Sequence, residues 1–514
     1  MSRTYQKTSP PGTPAQWHEK LSFPTARAGG RYAEYMHEVQ LVSDSDGLGY
    51  DPTDRVSILH FAQRLLGHRL SDFVPDGQLE DPRVRKGHFG NALEEQYFKI
   101  PANSRREADF SQASLELKST PLKLGPKGKV TAKERLVLGM IDYSELVNEE
   151  FLTSSLIAKT ALMLLVAYVY RKEVNPIDYK ILMVLLWGLH LGECEGVPPE
   201  LCHGPSKSDF LQFQHDWECI QNKVRDGKAH EISCGDTVYL EACPKAKDSS
   251  VTRSQPCSRI PAKPRAWALK ASYMTTVFSK QYRNFREIPR SADEQQLDLF
   301  ELVSRRFEPY IGKTEAELAE LTGYDVFAAR KPKNLNALIT KKILGVSEQE
   351  QIAEFEKAGI KPKTLRLNSH GKPKEHMSLP LFRYSELVQN SFKDSTFYGQ
   401  VQQKYLFVIF REANRGEFRL DSVAFWQMPE SDLLEAKECY DLMRARVKAG
   451  CGEDSVKVTE NRCCHVRPHA RNAKDTLPAP DGKGGEKPLV KKCFWLNAGY
   501  LQAEIRRISE QPNF

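Results

Sequence analysis

Asp109-Phe110-Ser111-Gln112-Ala113-Ser114-Leu115-Glu116-Leu117-Lys118-Ser119-Thr120-Pro121 is the stretch on which the reading of this chain turns. Leu115 and Leu117 alternate with Glu116 and Lys118, the period of a half-buried strand, so Glu116 and Lys118 share one face. Asp109 reaches that face from the preceding turn or strand. Two carboxylates placed this way offer a hard oxygen site for Mg²⁺, to which the Leu117 carbonyl could add a ligand. A lysine beside such a site orients an attacking water and helps deprotonate it, while its charge screens a phosphate. This is the chemistry of phosphodiester hydrolysis. The bare D-x6-E-x-K spacing also fits an exposed strand face closed by a salt bridge, and taken alone it leaves both readings open.

Working outward, the chain has 514 residues, 40% apolar and 27% charged with 10% aromatic, enough for two to four packed domains. That composition excludes a disordered, fibrous or disulfide-framework protein. The longest apolar run, residues 161–170, covers about half of the roughly 20 residues a membrane span needs. The opening Met1-Ser2-Arg3-Thr4-Tyr5-Gln6-Lys7 carries no apolar core for a secretion signal. Eleven cysteines without a C-x-x-C pair read as reduced thiols in a cytoplasmic protein. The formal charge, 74 − 67 = +7, permits a polyanionic partner without requiring one.

The plan repeats. Tyr143-Ser144-Glu145-Leu146-Val147 returns as Tyr384-Ser385-Glu386-Leu387-Val388, an offset of 241 that also carries Phe151 onto Phe392, Ser154 onto Ser395 and Leu165 onto Leu406. Asn91-Ala92-Leu93 resembles Asn336-Ala337-Leu338, and Leu269-Lys270-Ala271-Ser272-Tyr273 resembles Leu496-Asn497-Ala498-Gly499-Tyr500. The pattern predicts an N-terminal extension over 1–44 and a first α/β domain over 45–285. A linker over 286–295 and a second copy over 296–514 follow.

Within each copy, residues 55–66 have helical spacing ending at Gly67, and Thr314-x-x-Glu317 forms a capping box before a second helix stopped by Gly323. Residues 161–170 and 179–189 suit strands buried on both faces of a central mixed sheet flanked by helices. Residues 204–230 read as an insertion whose Phe210, Phe213 and Trp217 form one buried helical face. Residues 478–488 read as a polar loop.

Lys86-Gly87-His88-Phe89-Gly90-Asn91-Ala92-Leu93-Glu94, then Asp109-Phe110, then Leu115 to Pro121 together resemble the MutH family of DNA endonucleases. That family's pattern is K-G-x-x-G-x-x-x-E, D-F and x-E-L-K-T-x-P in this order. Lys159 in Ser155-x-x-x-Lys159 resembles its second active-site lysine. Tyr239-Leu240 with Pro244-Lys245-Ala246, and Arg265-Ala266-Trp267-Ala268-Leu269-Lys270, resemble its two DNA-contacting segments. The resemblance implies a duplicated PD-(D/E)xK, restriction-endonuclease-like fold, as in the two-domain type II enzymes that cut at GATC. It also implies Mg²⁺ held by Asp109, Glu116 and Glu94, with catalytic roles for Lys118 and Lys159. Lys86, Lys245 and Lys270 would face DNA.

In the second copy Ile339 is expected at the place of Glu94, Leu365-Arg366-Leu367-Asn368 at that of Leu115 to Lys118, and Gln400 at that of Lys159. A guanidinium cannot replace a metal-binding carboxylate. That copy is expected to be non-catalytic and to bind DNA through Arg467, His469, Arg471 and Trp495 as an effector or dimerising domain. The expected partners are duplex DNA, a DNA-induced second copy of the chain and, functionally, a companion methyltransferase in a bacterial cytoplasm. A repair-type nicking enzyme and an idle DNA-binding regulator are the alternatives.

Overall fold

Asp54 opens helix α1 (Arg55–Gln63) by accepting the N–H groups of Val56 and Ser57, two of the four donors a helix start leaves unpaired. The chain leaves the helix at Gly67, whose φ of 81° lies in the left-handed region that glycine enters freely. A computed structural model of the chain describes residues 47–74, 88–101, 107–125, 128–190, 197–198, 201–246, 250–279, 285–323 and 334–510. Lys86 lies outside them. Among the described residues no helix is long and apolar enough to cross a membrane.

Helix α2 (His88–Asn91) runs directly into a π-helical turn over Ala92–Tyr97. The first sheet follows: β1 (Glu116–Leu124), β2 (Val130–Ala132), β4 (Met163–Val169), β5 (Ile181–Trp187) and β6 (Cys202–His203), in the order β2-β1-β4-β5-β6. β1 and β4 are parallel, which makes the sheet mixed. A second, antiparallel sheet has the order β3 (Leu136–Met140), β10 (Arg265–Leu269), β7 (Leu240–Pro244). Between them lie α3 (Tyr143–Leu146), α4 (Ser155–Thr160) and α5 (Lys207–Arg225), and β8 (Arg253–Gln255) forms a hairpin with β9 (Ser258–Ala262). Leu164 and Val166 pack on one side of β4, and Met163, Leu165 and Ala167 on the other. The unbroken apolar run therefore sits between two layers.

After α6 (Ala271–Phe278), β11 (Phe285–Arg286) pairs with β12 (Gln351–Ile352), so the joining segment is stitched onto the second half. Helices α7 (Leu299–Phe307), α8 (Glu315–Leu321), α9 (Leu335–Ile343) and α10 (Ala353–Ala358) precede β13 (Ile360–Leu367) and β14 (Met377–Leu381). The Thr314–Glu317 capping box is present and Gly323 has φ 80°. Then come α11 (Tyr384–Gln389), α12 (Thr396–Val401), β15 (Lys404–Asn414) and β16 (Glu417–Trp426). After these are α13 (Leu433–Lys448), β17 (Cys464–Pro468), a hairpin of β18 (Thr476–Pro480) and β19 (Glu486–Val490), β20 (Lys492–Leu496) and α14 (Ala498–Glu510). The sheets β13-β15-β16 and β14-β20-β17 repeat the orders β1-β4-β5 and β3-β10-β7.

Two expectations are corrected by this order. Residues 204–230 are not an insertion, because α5 has a counterpart in α13 at the same place between the strand pair and β7 or β17. Residues 478–488 are not an irregular loop but most of the β18–β19 hairpin, the counterpart of β8–β9; alternating Pro and Gly hid the strand signal. A third correction concerns the thiols: among the described residues Cys202 is disulfide-bonded, while nine other cysteines are free.

One core spans both halves. Trp187, Phe213, Trp217 and Trp267 share it with Phe307, Ile339, Phe355 and Leu406. Polar ties reinforce the apolar contact. The buried Lys404 ammonium donates to the carbonyls of Gly235 (2.6 Å) and Thr237 (2.9 Å), and Lys357 pairs with Asp209 at 2.8 Å.

Candidate active site

Phe110 and Leu115 exchange backbone hydrogen bonds across a tight turn in which Ser114 takes φ 47°. That turn folds Asp109 back beside β1, where its carboxylate accepts the Leu117 N–H at 2.8 Å. Glu116 is buried, only 4% exposed, and forms an ion pair with Lys118, its neighbour on the same strand face. Its second carboxylate oxygen is buried with no partner. Glu94 arrives from the π-helical turn, a backbone irregularity common at functional sites. Helix and strand come close at Gly90, where an added Cβ would lie 3.4 Å from the Ser119 hydroxyl.

Burial first, then the neighbouring carboxylates of Asp109 and Glu116, push the Glu94 carboxyl up to about 7, against the opposing pull of Lys118. Between an unfolded value near 4.5 and this folded value, the folded chain keeps a proton that the unfolded chain has released. Without added metal, the group therefore costs stability increasingly as pH rises through that window. Glu94→Gln is expected to raise the melting temperature at pH 8 and leave it unchanged at pH 4, as scanning calorimetry in EDTA would read.

The structure brings Glu94, Asp109, Glu116 and Lys118 together. An orphaned carboxylate oxygen and three crowded carboxyl groups are a donor set that fits a hard divalent cation. As they stand, with the Lys118 ammonium on Glu116, no group of three or more His, Cys, Asp or Glu among the described residues converges to hold one. Lys159 lies on α4, three residues before Leu162, whose carbonyl accepts the Glu116 N–H. The Lys159 side chain runs over Gly139 of β3, where an added Cβ would meet its Cδ at 3.4 Å.

The expected DNA-facing residues divide. Lys245, Arg467, His469 and Arg471 are exposed, and Trp495 is half-buried at 5.4 Å from the His469 ring. Lys270 instead turns inward, its ammonium donating to the Thr237 carbonyl. In the first half the outer face of the second sheet is closed. Ala268 opposes Glu241, which pairs with Arg135 at 3.0 Å, and Ala266 opposes Cys243, all buried or half-buried. In the second half the corresponding pairs are Trp495 with His465, and Cys493 with Arg467.

The register corrects the reading of the second copy. On β1, Glu116 lies opposite Met163 and Lys118 opposite Leu165, and Met163 lies opposite Trp187 on β5. In the second half the residue opposite Trp426 is Tyr405, and Tyr405 lies opposite Lys361, as Phe407 lies opposite Lys363. Met163 and Trp187 face the core beneath the second sheet of their half, as Tyr405 and Trp426 do in theirs. The strand positions of Glu116 and Lys118 are thus held by Lys361 and Lys363, not by Arg366 and Asn368. The offset is 361 − 116 = 245, the same as from Asn91 to Asn336. Arg366 points to the other face, pairing with Glu315 at 2.7 Å. Ile339 is buried in the common core. Lys361 and Lys363 were missed because Leu365-x-Leu367 mimics Leu115-x-Leu117.

A family model described as DNA mismatch repair enzyme MutH matches residues 98–195 and 346–437. Type II restriction enzyme Sau3AI of Staphylococcus aureus is 29% identical over 479 residues, covering 83% of this chain and 94% of that protein. DNA mismatch repair protein MutH of Vibrio campbellii is 22% identical over 240 residues, 46% of this chain and 97% of that one. Its counterpart from Vibrio cholerae is 24% identical over 241 residues, 45% of this chain and 98% of its own. The two matched segments carry β1 with β4 in one half and β13 with β15 in the other.

Proposed function

We propose that this chain, which carries two MutH-family segments, is a type II site-specific deoxyribonuclease that makes Mg²⁺-dependent double-strand cuts at GATC. The cluster of Glu94 and Asp109 beside Glu116 and Lys118 of β1 carries the reading, supported by similarity to a restriction enzyme along most of the chain. Asp109 and Glu116 are the metal-holding pair, completed by Glu94. When bound, the cation supplies Lewis-acid stabilisation of charge on the phosphate and lowers the pKa of a water. Lys118 would position and activate the attacking water, and Lys159 would stabilise charge at the scissile phosphate. Arg467, His469, Arg471 and Trp495 bind duplex DNA from the second half, and Lys245 does so from the first. Lys86 lies outside the described residues, and Lys270 acts through the Thr237 loop as a positioning residue.

The halves arose by tandem duplication of a PD-(D/E)xK domain, in which only residues 45–285 kept the acidic cluster. The second domain, 296–514, serves as effector or dimerising module. One active site cuts one strand, so a palindrome calls for two chains, and DNA induces the pair. A restriction role places the enzyme in a bacterial cytoplasm beside a methyltransferase.

The test is digestion of unmethylated plasmid with the purified chain and Mg²⁺, followed by end sequencing. Discrete linear fragments with GATC ends, absent in EDTA, are expected. Nicked circles alone would favour a repair-type enzyme. Sequence-specific retention without cleavage would make the chain an idle DNA-binding regulator.

A further inference from the structure

The second half carries at its strand β13 a feature that loss of an active site does not require. Lys361 and Lys363 occupy the two positions that Glu116 and Lys118 hold on β1, so one carboxylate has been exchanged for an ammonium at the same place in the sheet. A merely decayed site would accept any polar residue here. Two cations on one strand face repel, and burial with the Lys361 charge lowers the pKa of Lys363.

Among the described residues no carboxylate pairs with either lysine. The Lys363 ammonium donates to the Ser378 carbonyl at 3.4 Å and stands close to the Cys493 thiol. Ser378 lies opposite Trp495, and Cys493 opposite Arg467. Lys363 therefore adjoins the sheet face that carries Trp495 and the exposed Arg467. There the Trp495 indole N–H is buried without a partner, and burial first, then the charge of Arg467, hold the His376 imidazole below its usual range. Among the described residues no ion pair engages Lys361, Lys363 or Arg467. A strand of positive charge running onto an aromatic and an orphaned donor suits a phosphodiester backbone passing over the sheet.

We infer that the vestigial site of the second half is a backbone-phosphate site for duplex DNA, in which Lys361 and Lys363 take a phosphate directly where the first half would need a metal ion. This rests on the proposal that the second half binds DNA and adds where, and by what means. Binding there needs no divalent cation, and each lysine–phosphate contact releases condensed counterions.

The experiment is fluorescence anisotropy of the full chain with a labelled GATC duplex in EDTA across a salt series, comparing wild type with Lys361→Ala/Lys363→Ala and with Arg467→Ala. Circular dichroism of each variant checks folding. The double variant is expected to bind about tenfold more weakly, with the slope of log K against log salt shallower by about 1.8, two contacts at roughly 0.9 each. Unchanged affinity and slope in the double variant, with weaker binding by Arg467→Ala, would overturn the phosphate site and leave DNA binding by the second half standing. No binding by wild type in EDTA would overturn both.

Discussion

Replacing Glu116 by alanine is expected to abolish cleavage while leaving metal-independent DNA binding in place. The carboxylate is buried on β1 and holds the Lys118 ammonium on one oxygen while the other has no partner. On the proposed mechanism its loss removes a cation ligand and frees the lysine that positions the water. A metal site of this kind supplies several kcal/mol of transition-state stabilisation, so a fall of on the order of a thousandfold or more is expected. Binding draws mainly on cationic and aromatic groups elsewhere and should change by less than about threefold. Cleavage would be followed by plasmid digestion at saturating Mg²⁺, and binding by anisotropy in EDTA. Activity within tenfold of wild type would exclude Glu116 from the reaction. Unfolding would show in circular dichroism, and Glu116→Gln, which keeps the volume, would then carry the test.

The acidic cluster was legible because strand alternation is a local rule: Leu115 to Lys118 announce which side chains share a face before any tertiary contact is known. That Asp109 would reach the same face depended on the Phe110–Leu115 turn, which the sequence permits but does not advertise. The likeness of the two halves in sequence has a structural counterpart where helices begin, since Ser154 and Ser395 both cap the helix that follows. It misled where pattern alone was matched, and Leu365-Arg366-Leu367 drew the alignment five residues past Lys361. Cross-strand partners were needed to settle it, because a shift in register is invisible in a strand apolar on both faces. The inward turn of Lys270 within the first half and the burial of Lys404 between the halves are likewise products of packing. A lysine is ordinarily read as solvated, and only the facing carbonyls of Gly235 and Thr237 make these two internal.

Asp216→Ala should cost more folding free energy than almost any other single change in the first half, about 3–5 kcal/mol. The side chain sits on α5 at 2% exposure and accepts the backbone N–H groups of Val238 (2.7 Å), Tyr239 (2.6 Å) and Leu240 (2.9 Å), with Gln212 as a further donor at 3.1 Å. Alanine leaves three backbone donors buried and unpaired, each costing about 1–3 kcal/mol before relaxation. The same segment feeds β7, and its Thr237 carbonyl receives both Lys270 and Lys404. The damage should therefore reach the tie between halves. Urea denaturation would show a lower midpoint for Asp216→Ala, whereas Asp226→Ala, whose exposed carboxylate lies 3.8 Å from Lys228, should shift it by less than about 1 kcal/mol. A double variant with Lys404→Met should lose less than the sum of the two single losses, since both act on residues 235–240. Strict additivity would mean that the carboxylate holds its own half only, and that the two halves meet through the apolar core alone.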